Sequence, residues 1–149
     1  MESQDRTGSS WNPSAWHWEE KNYSSWAEGR LAELFKNLAL GEDQDLSLEI
    51  TDLSKFEGDV FVNIRKGKKV PGWDFSLKLD YKGKSGESEV SGSIKVSEIS
   101  ADETQYEYEF TCSSKEEALV KKVKSFLKKE APKVIGAKIT EFGQEVRSK

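Results

Sequence analysis

The stretch Trp73-Asp74-Phe75-Ser76-Leu77-Lys78-Leu79-Asp80-Tyr81 alternates apolar and polar residues without a fault. Successive side chains of an extended strand point to opposite faces, so this pattern buries five large apolar groups on one side and solvates the other. A helical repeat would scatter the same apolar groups around the whole circumference. The stretch therefore predicts a strand of an antiparallel sheet with one wet face, and most of the chain has to be arranged to cover the other face.

The neighbouring segments carry the same period. Leu46, Leu48 and Ile50 alternate with polar residues, as do Val60, Val62 and Ile64 after an expected turn near Glu57-Gly58-Asp59. Lys82-Gly83-Lys84-Ser85-Gly86 turns the chain, Val90, Ile94 and Val96 continue the pattern, and Tyr106, Tyr108, Phe110 and Cys112 follow Ser100-Ala101-Asp102-Glu103. Short connections between such segments predict a meander of four or five antiparallel strands. Two stretches of helical period flank it. Ala27, Leu31, Leu34, Phe35 and Leu38 form a stripe that predicts a helix over 26–40, opened by a capping box from Ser25 to Glu28 and stopped at Gly41. A second box, Ser114 to Glu117, opens a long helix with Leu119, Val123, Phe126, Leu127, Val134, Ile135, Ile139, Phe142 and Val146 on one side. Pro132 lies inside it and predicts a kink or a brief break. The fold class is α+β: N-terminal helix, antiparallel meander, and long C-terminal helix packed on the sheet. Residues 1–10 read as a flexible arm and residues 11–149 as one domain.

Chemistry-bearing groups are sparse. His17 is the single imidazole and Cys112 the single thiol, and Cys112 continues the inward face of Tyr106, Tyr108 and Phe110, where it reads as a small buried hydrophobe. Glu107 and Glu109 fall on the outward face, where charge solvates a sheet. The spacings of metal sites and of a phosphate-binding glycine loop are missing from the sequence, so neither cofactor nor metal is expected, and the chain does not read as an enzyme. The polar start and the lack of a long apolar run point to a cytoplasmic protein with no membrane segment.

Charge is uneven. The net value is -4, made of -8 over residues 1–64 and +4 over the rest. An acidic total argues against nucleic acid. The densest cationic run is Arg65-Lys66-Gly67-Lys68-Lys69, between two predicted strands. It reads either as a solvated turn or as a donor cluster for carboxylates or phosphates, with Arg65 suited to bidentate contact. The lysines of Lys121–Lys129 read in the same two ways. Of the five tryptophans, Trp26 and Trp73 fall in predicted elements and read as core. Trp11, Trp16 and Trp18 precede every predicted element and read either as a segment folded on the sheet or as an arm kept for a partner. A sheet with a tryptophan-lined groove for a lipid or sugar is the alternative of a different class.

Taken together, Asn12-Pro13-Ser14-Ala15-Trp16-His17-Trp18, a helix, Arg65-Lys66-Gly67-Lys68, and the aromatic strand after it resemble the N-terminal domain of the activator of heat-shock protein 90 ATPase family. Asn12, Trp16, His17 and Trp18 match that family's first motif, with Ser14 and Ala15 in place of two asparagines. Arg65, Lys66 and Lys68 match its second motif, and Lys69 extends it. The resemblance implies a monomeric co-chaperone that docks on the middle domain of heat-shock protein 90 and stimulates its ATPase. It implies partner contact for Arg65, Lys66, Lys68, Lys69, Asn12, Trp16, His17 and Trp18. Full-length members of that family add a second, C-terminal domain.

Overall fold

The computed structural model describes residues 19–43, 45–103 and 105–149, apart from the side chain of Arg65. Trp11, Asn12, Trp16, His17, Trp18 and the expected arm at 1–10 lie outside the described residues.

In chain order the elements are β1 (Glu19–Asn22), α1 (Ser24–Phe35), β2 (Leu38–Asp43), β3 (Leu46–Arg65), β4 (Lys68–Ser85), β5 (Ser88–Ser100), β6 (Glu107–Phe110) and α2 (Glu117–Arg147). The sheet has six strands rather than four or five. All pairs are antiparallel, in the order β1-β3-β4-β5-β6, with β2 also on β3. β1 pairs with residues 61–64 of β3 and β2 with residues 46–50, so two short strands share one edge of a long one. Helix α1 connects them. Covering an edge in this way removes unpaired backbone groups that would otherwise template a foreign strand.

Several local expectations are corrected. β3 runs unbroken through Glu57-Gly58-Asp59, and no turn forms there. Gly58 (φ 137°) instead allows close approach, since a Cβ there would lie 2.3 Å from the carbonyl oxygen of Asp74. Helix α1 ends at Phe35, because Asn37 adopts φ 53° and its amide bonds to the carbonyl of Thr51 at 3.2 Å. Leu38 therefore lies in β2, where Leu38 and Leu40 alternate. The helical stripe at i+11 had coincided with a strand. Gly41 sits inside β2 at an irregularity.

Neither capping box forms. The Ser24 hydroxyl accepts from the Val60 amide at 3.1 Å, tying α1 to β3, and Asn22 Oδ1 accepts the Ser24 amide at 2.8 Å. At the second box, Ser114 Oγ accepts from the Glu116 amide at 3.2 Å, just ahead of the helix. α2 continues through Pro132 without a break over 31 residues, roughly 46 Å at 1.5 Å per residue.

The core lies between one sheet face and the two helices. Trp73, Phe75, Leu77, Leu79 and Tyr81 are all buried, as the alternation requires. They meet Leu119, Val123, Phe126, Leu127, Ile135, Ile139, Phe142 and Val146 of α2. Each such side chain contributes roughly 1.5–3 kcal/mol by leaving water. Tyr106, Tyr108, Phe110 and Cys112 pack half-buried against this core. Burial raises the Tyr108 phenol to about 12 and raises that of Tyr81, whose hydroxyl donates to the Thr111 carbonyl. The opposite face is polar, with Glu107 and Glu109 exposed on it as expected.

Candidate functional site

Arg65 and Lys68 form the last pair of the β3–β4 ladder, so Lys66 and Gly67 alone make the turn. Both have positive φ, 52° and 81°. Left-handed geometry at both central residues marks a type I′ turn, whose twist suits adjacent strands. Gly67 adopts it without strain. Lys66 adopts it against the usual preference of a residue with a Cβ, in a conformation held by the ladder on both sides.

Strand alternation then sorts the cations. Lys69 pairs with Ile64, which is buried on the helix-covered face. Its Nζ donates to the Lys149 carbonyl at 2.9 Å, beyond the end of α2. Lys68 and Val70 have the opposite parity and sit on the helix-free face, both exposed. Val70 is 59% exposed and is the one large hydrophobic side chain so exposed among the described residues. Phe61, half-buried, lies over Gly72, where a Cβ would meet its ring at 2.6 Å. Asn63, cross-strand from Val70, has its Oδ1 buried with no hydrogen-bond partner. Farther along the same face, Asp59 stands directly opposite Asp74, a like-charge pair that costs stability in the isolated sheet. The hairpin end thus presents cation, apolar group and acid in sequence on one surface.

The C-terminal turn of α2 braces this end from behind. Arg30 of α1 donates to Glu145 through Nε at 2.7 Å and Nη2 at 2.9 Å. That bond holds the Glu145 carboxyl below the usual carboxylate range and the Arg30 guanidinium above its own. Arg147 lies over the Trp73 ring at 4.9 Å, and Lys149 lies over Trp26 at 4.0 Å. Trp26 is half-buried and stacks on Phe142, while Trp73 is buried as expected.

The structure also holds an open groove of about 870 Å³ on the helix-free face near the Gly83 end of β4. Its described lining includes Glu42, Glu49, Lys82, Lys84 and Glu89 and no tryptophan. The tryptophans left open for a groove by the alternative reading, Trp11, Trp16 and Trp18, lie outside the described residues. Trp73 belongs to the core, and charged residues line this groove. Among the described residues no helix is long and apolar enough to cross a membrane.

The model of the family described as Activator of Hsp90 ATPase, N-terminal, matches residues 20–149. The chain belongs to that family. The human protein named Activator of 90 kDa heat shock protein ATPase homolog 1 is 26% identical over 125 residues, covering 83% of this chain and 37% of that protein. The Saccharomyces cerevisiae protein named Hsp90 co-chaperone AHA1 is 28% identical over 142 residues, covering 91% of this chain and 41% of its own length. The chain thus spans about two fifths of these relatives. A crystal structure of Aha-1 from Plasmodium falciparum superposes with a TM-score of 0.70 at 26% identity, over 85% of this chain and 86% of that one. The solution structure of the human Aha1 N-terminal domain, at 22% identity and a TM-score of 0.63 over 83% of this chain and 92% of that one, shares the fold.

Of the residues expected to touch a partner, the fold gathers Arg65, Lys66, Lys68 and Lys69 into one hairpin. It separates Lys69 from Lys68 by turning them to opposite faces. Val70, Phe61 and the Asp59–Asp74 pair were missed in the sequence. The signal for Val70 was present, since counting back by twos from Asp74 places it on the outward side.

Proposed function

We propose that this chain is a co-chaperone module that binds heat-shock protein 90 through the hairpin end of its sheet and raises that chaperone's ATPase rate. It is not itself the catalyst. It acts by binding one conformation of its partner better than another, and a tenfold shift requires about 1.4 kcal/mol of differential affinity. One or two charge-assisted hydrogen bonds from the turn supply that.

One observation carries the reading: Lys68 and exposed Val70 lie side by side on the helix-free face, next to the two-residue turn of a family activator module. A partner loop offering carboxylates beside an apolar side chain fits that arrangement. The middle domain of the chaperone is the proposed docking site. Asn12, Trp16, His17 and Trp18 are proposed to act nearer its ATP-binding domain, and Lys69 to hold the hairpin base rather than touch the partner. The module is proposed to work as a monomer in the cytoplasm. Its affinity falls as ionic strength rises, because exposed charges are screened over about 8 Å at physiological salt.

The test is the ATPase rate of purified heat-shock protein 90 with this protein, beside the Lys66→Ala/Lys68→Ala and Val70→Asp variants. Stimulation by the wild type, lost in both variants with their circular dichroism intact, is the expected result. Full stimulation by both variants would remove the hairpin end from the mechanism.

A further inference from the structure

α2 carries a second cationic surface that the hairpin reading leaves unused. At 100° per residue, Lys121, Lys124, Lys128 and Lys129 fall within an arc of about 140° on one side of the helix, with Ser125 among them. Lys121, Lys128 and Lys129 are exposed and Lys124 is half-buried. Among the described residues none of the four has an ion-pair partner, whereas Lys122 turns aside to Asp45 and Lys133 reaches Glu130 at 3.8 Å. Lys121 and Lys124 are three apart, and Lys124 and Lys128 are four apart. Like charges at these spacings destabilise the helix that bears them. The ridge therefore costs the isolated domain something that a bound anion would reverse.

Size and chemistry narrow the anion. The ridge is about 12 Å long from Lys121 to Lys129. Carboxylates border its start, with Glu116 and Glu117 exposed in the turn before it. A bilayer or duplex laid on this face would meet that border as well as the ridge. The remaining ridge side chains, Ala118 and Ser125, offer nothing to insert into lipid. An extended chain repeats its side chains on one face every 6.6–6.8 Å or so, and two such repeats span the ridge.

We propose that the Lys121–Lys129 ridge is a docking surface for a short, extended acidic protein segment that places two or three carboxylates against it. It lies roughly 30–40 Å along α2 from the hairpin end, so it acts independently of the contact proposed there. It stands whether or not that reading holds.

The test is a titration of the isotope-labelled protein with an oligoglutamate peptide, followed by amide chemical shifts. In parallel the protein is mixed with phosphatidylserine vesicles and with a short DNA duplex. The variant is Lys121→Gln/Lys124→Gln/Lys128→Gln, since glutamine keeps helix propensity close to that of lysine. The expected result is shift changes centred on residues 118–129, weakened by salt, and about tenfold weaker binding in the variant, as three exposed pairs of a few tenths of a kcal/mol each would give. Lys66→Ala/Lys68→Ala should leave the shift changes over residues 118–129 unchanged. Shifts centred on the hairpin, equal binding by the α2 variant, or binding to vesicles or duplex in preference to the peptide would each overturn the proposal.

Discussion

Replacing Phe142 by alanine tests how the hairpin end is supported. Phe142 is fully buried on α2 and touches three other rings: Trp26 at 5.5 Å, stacked, and Phe75 at 5.7 Å and Trp73 at 6.4 Å, both edge-on. Truncating a core phenylalanine costs about 3–5 kcal/mol through lost transfer energy and the cavity left behind. The upper part of that range applies here, because the three ring pairs add roughly 0.5–1.5 kcal/mol each beyond burial. The surroundings also resist collapse. Trp73 is held between β4 pairing and the Gly143 backbone, where a Cβ would already stand 3.0 Å from its ring. Against a total stability of about 5–15 kcal/mol for a domain of ordinary size, this is a large share. Urea unfolding followed by far-ultraviolet circular dichroism measures it, with near-ultraviolet dichroism reporting the tryptophans. The expected outcome is a midpoint lowered by the equivalent of about 4 kcal/mol at unchanged slope, with the near-ultraviolet signal reduced. Phe142→Leu should lose less than half as much. A loss below about 1.5 kcal/mol for the alanine variant, with the tryptophan signal intact, would refute the claim that one ring joins α1, the sheet and α2.

Gly58→Ala should destabilise by more than about 2 kcal/mol, since the new methyl meets backbone at 2.3 Å and the φ of 137° is already unfavourable for it; a variant as stable as the parent in urea would contradict the close approach of β3 and β4. The Arg30–Glu145 pair gives a pH test. The Glu145 carboxyl is lowered in the fold by its bond to Arg30, so its stabilisation is present above the unfolded glutamate value of about 4.3 and is lost as pH falls through the lowered folded value. Arg30→Gln should therefore weaken the protein slightly at pH 7, by less than about 1 kcal/mol for a pair a third exposed, and make no difference well below that window; a gap that persists at low pH would show that the bond is not its source. Tyr108 should ionise late, near pH 12, in an ultraviolet titration, and Tyr108→Phe should remove that component while the protein remains folded; ionisation of Tyr108 at pH 10 would mean that its ring is not buried.

The alternation in residues 73–81 and the two apolar helical stripes determined the class, the layers and most of the core. Burial energy depends on which side a residue faces, and the period fixes the side. Trp73, Phe75, Leu77, Leu79 and Tyr81 required no tertiary information, and the cationic hairpin was legible for the same reason.

Pairing, by contrast, decided where elements end. Leu38 fits a helix stripe as well as a strand, and only the open edge of β3 made it a strand residue. Gly58 looks like a turn glycine and is one of close approach, because the meaning of a missing Cβ depends on what lies opposite. The cap expected from Ser25 did not form, and the neighbouring Ser24 bonded instead to Val60, a residue far along the chain. The split of Lys68 from Lys69 and the exposure of Val70 were implicit in the parity of β4, but they became a surface only when α2 covered one face and left the other open. Local propensity specifies what each segment prefers. Long-range contact decides which preference is satisfied, since the edge, the opposing backbone and the covering helix all come from elsewhere in the sequence.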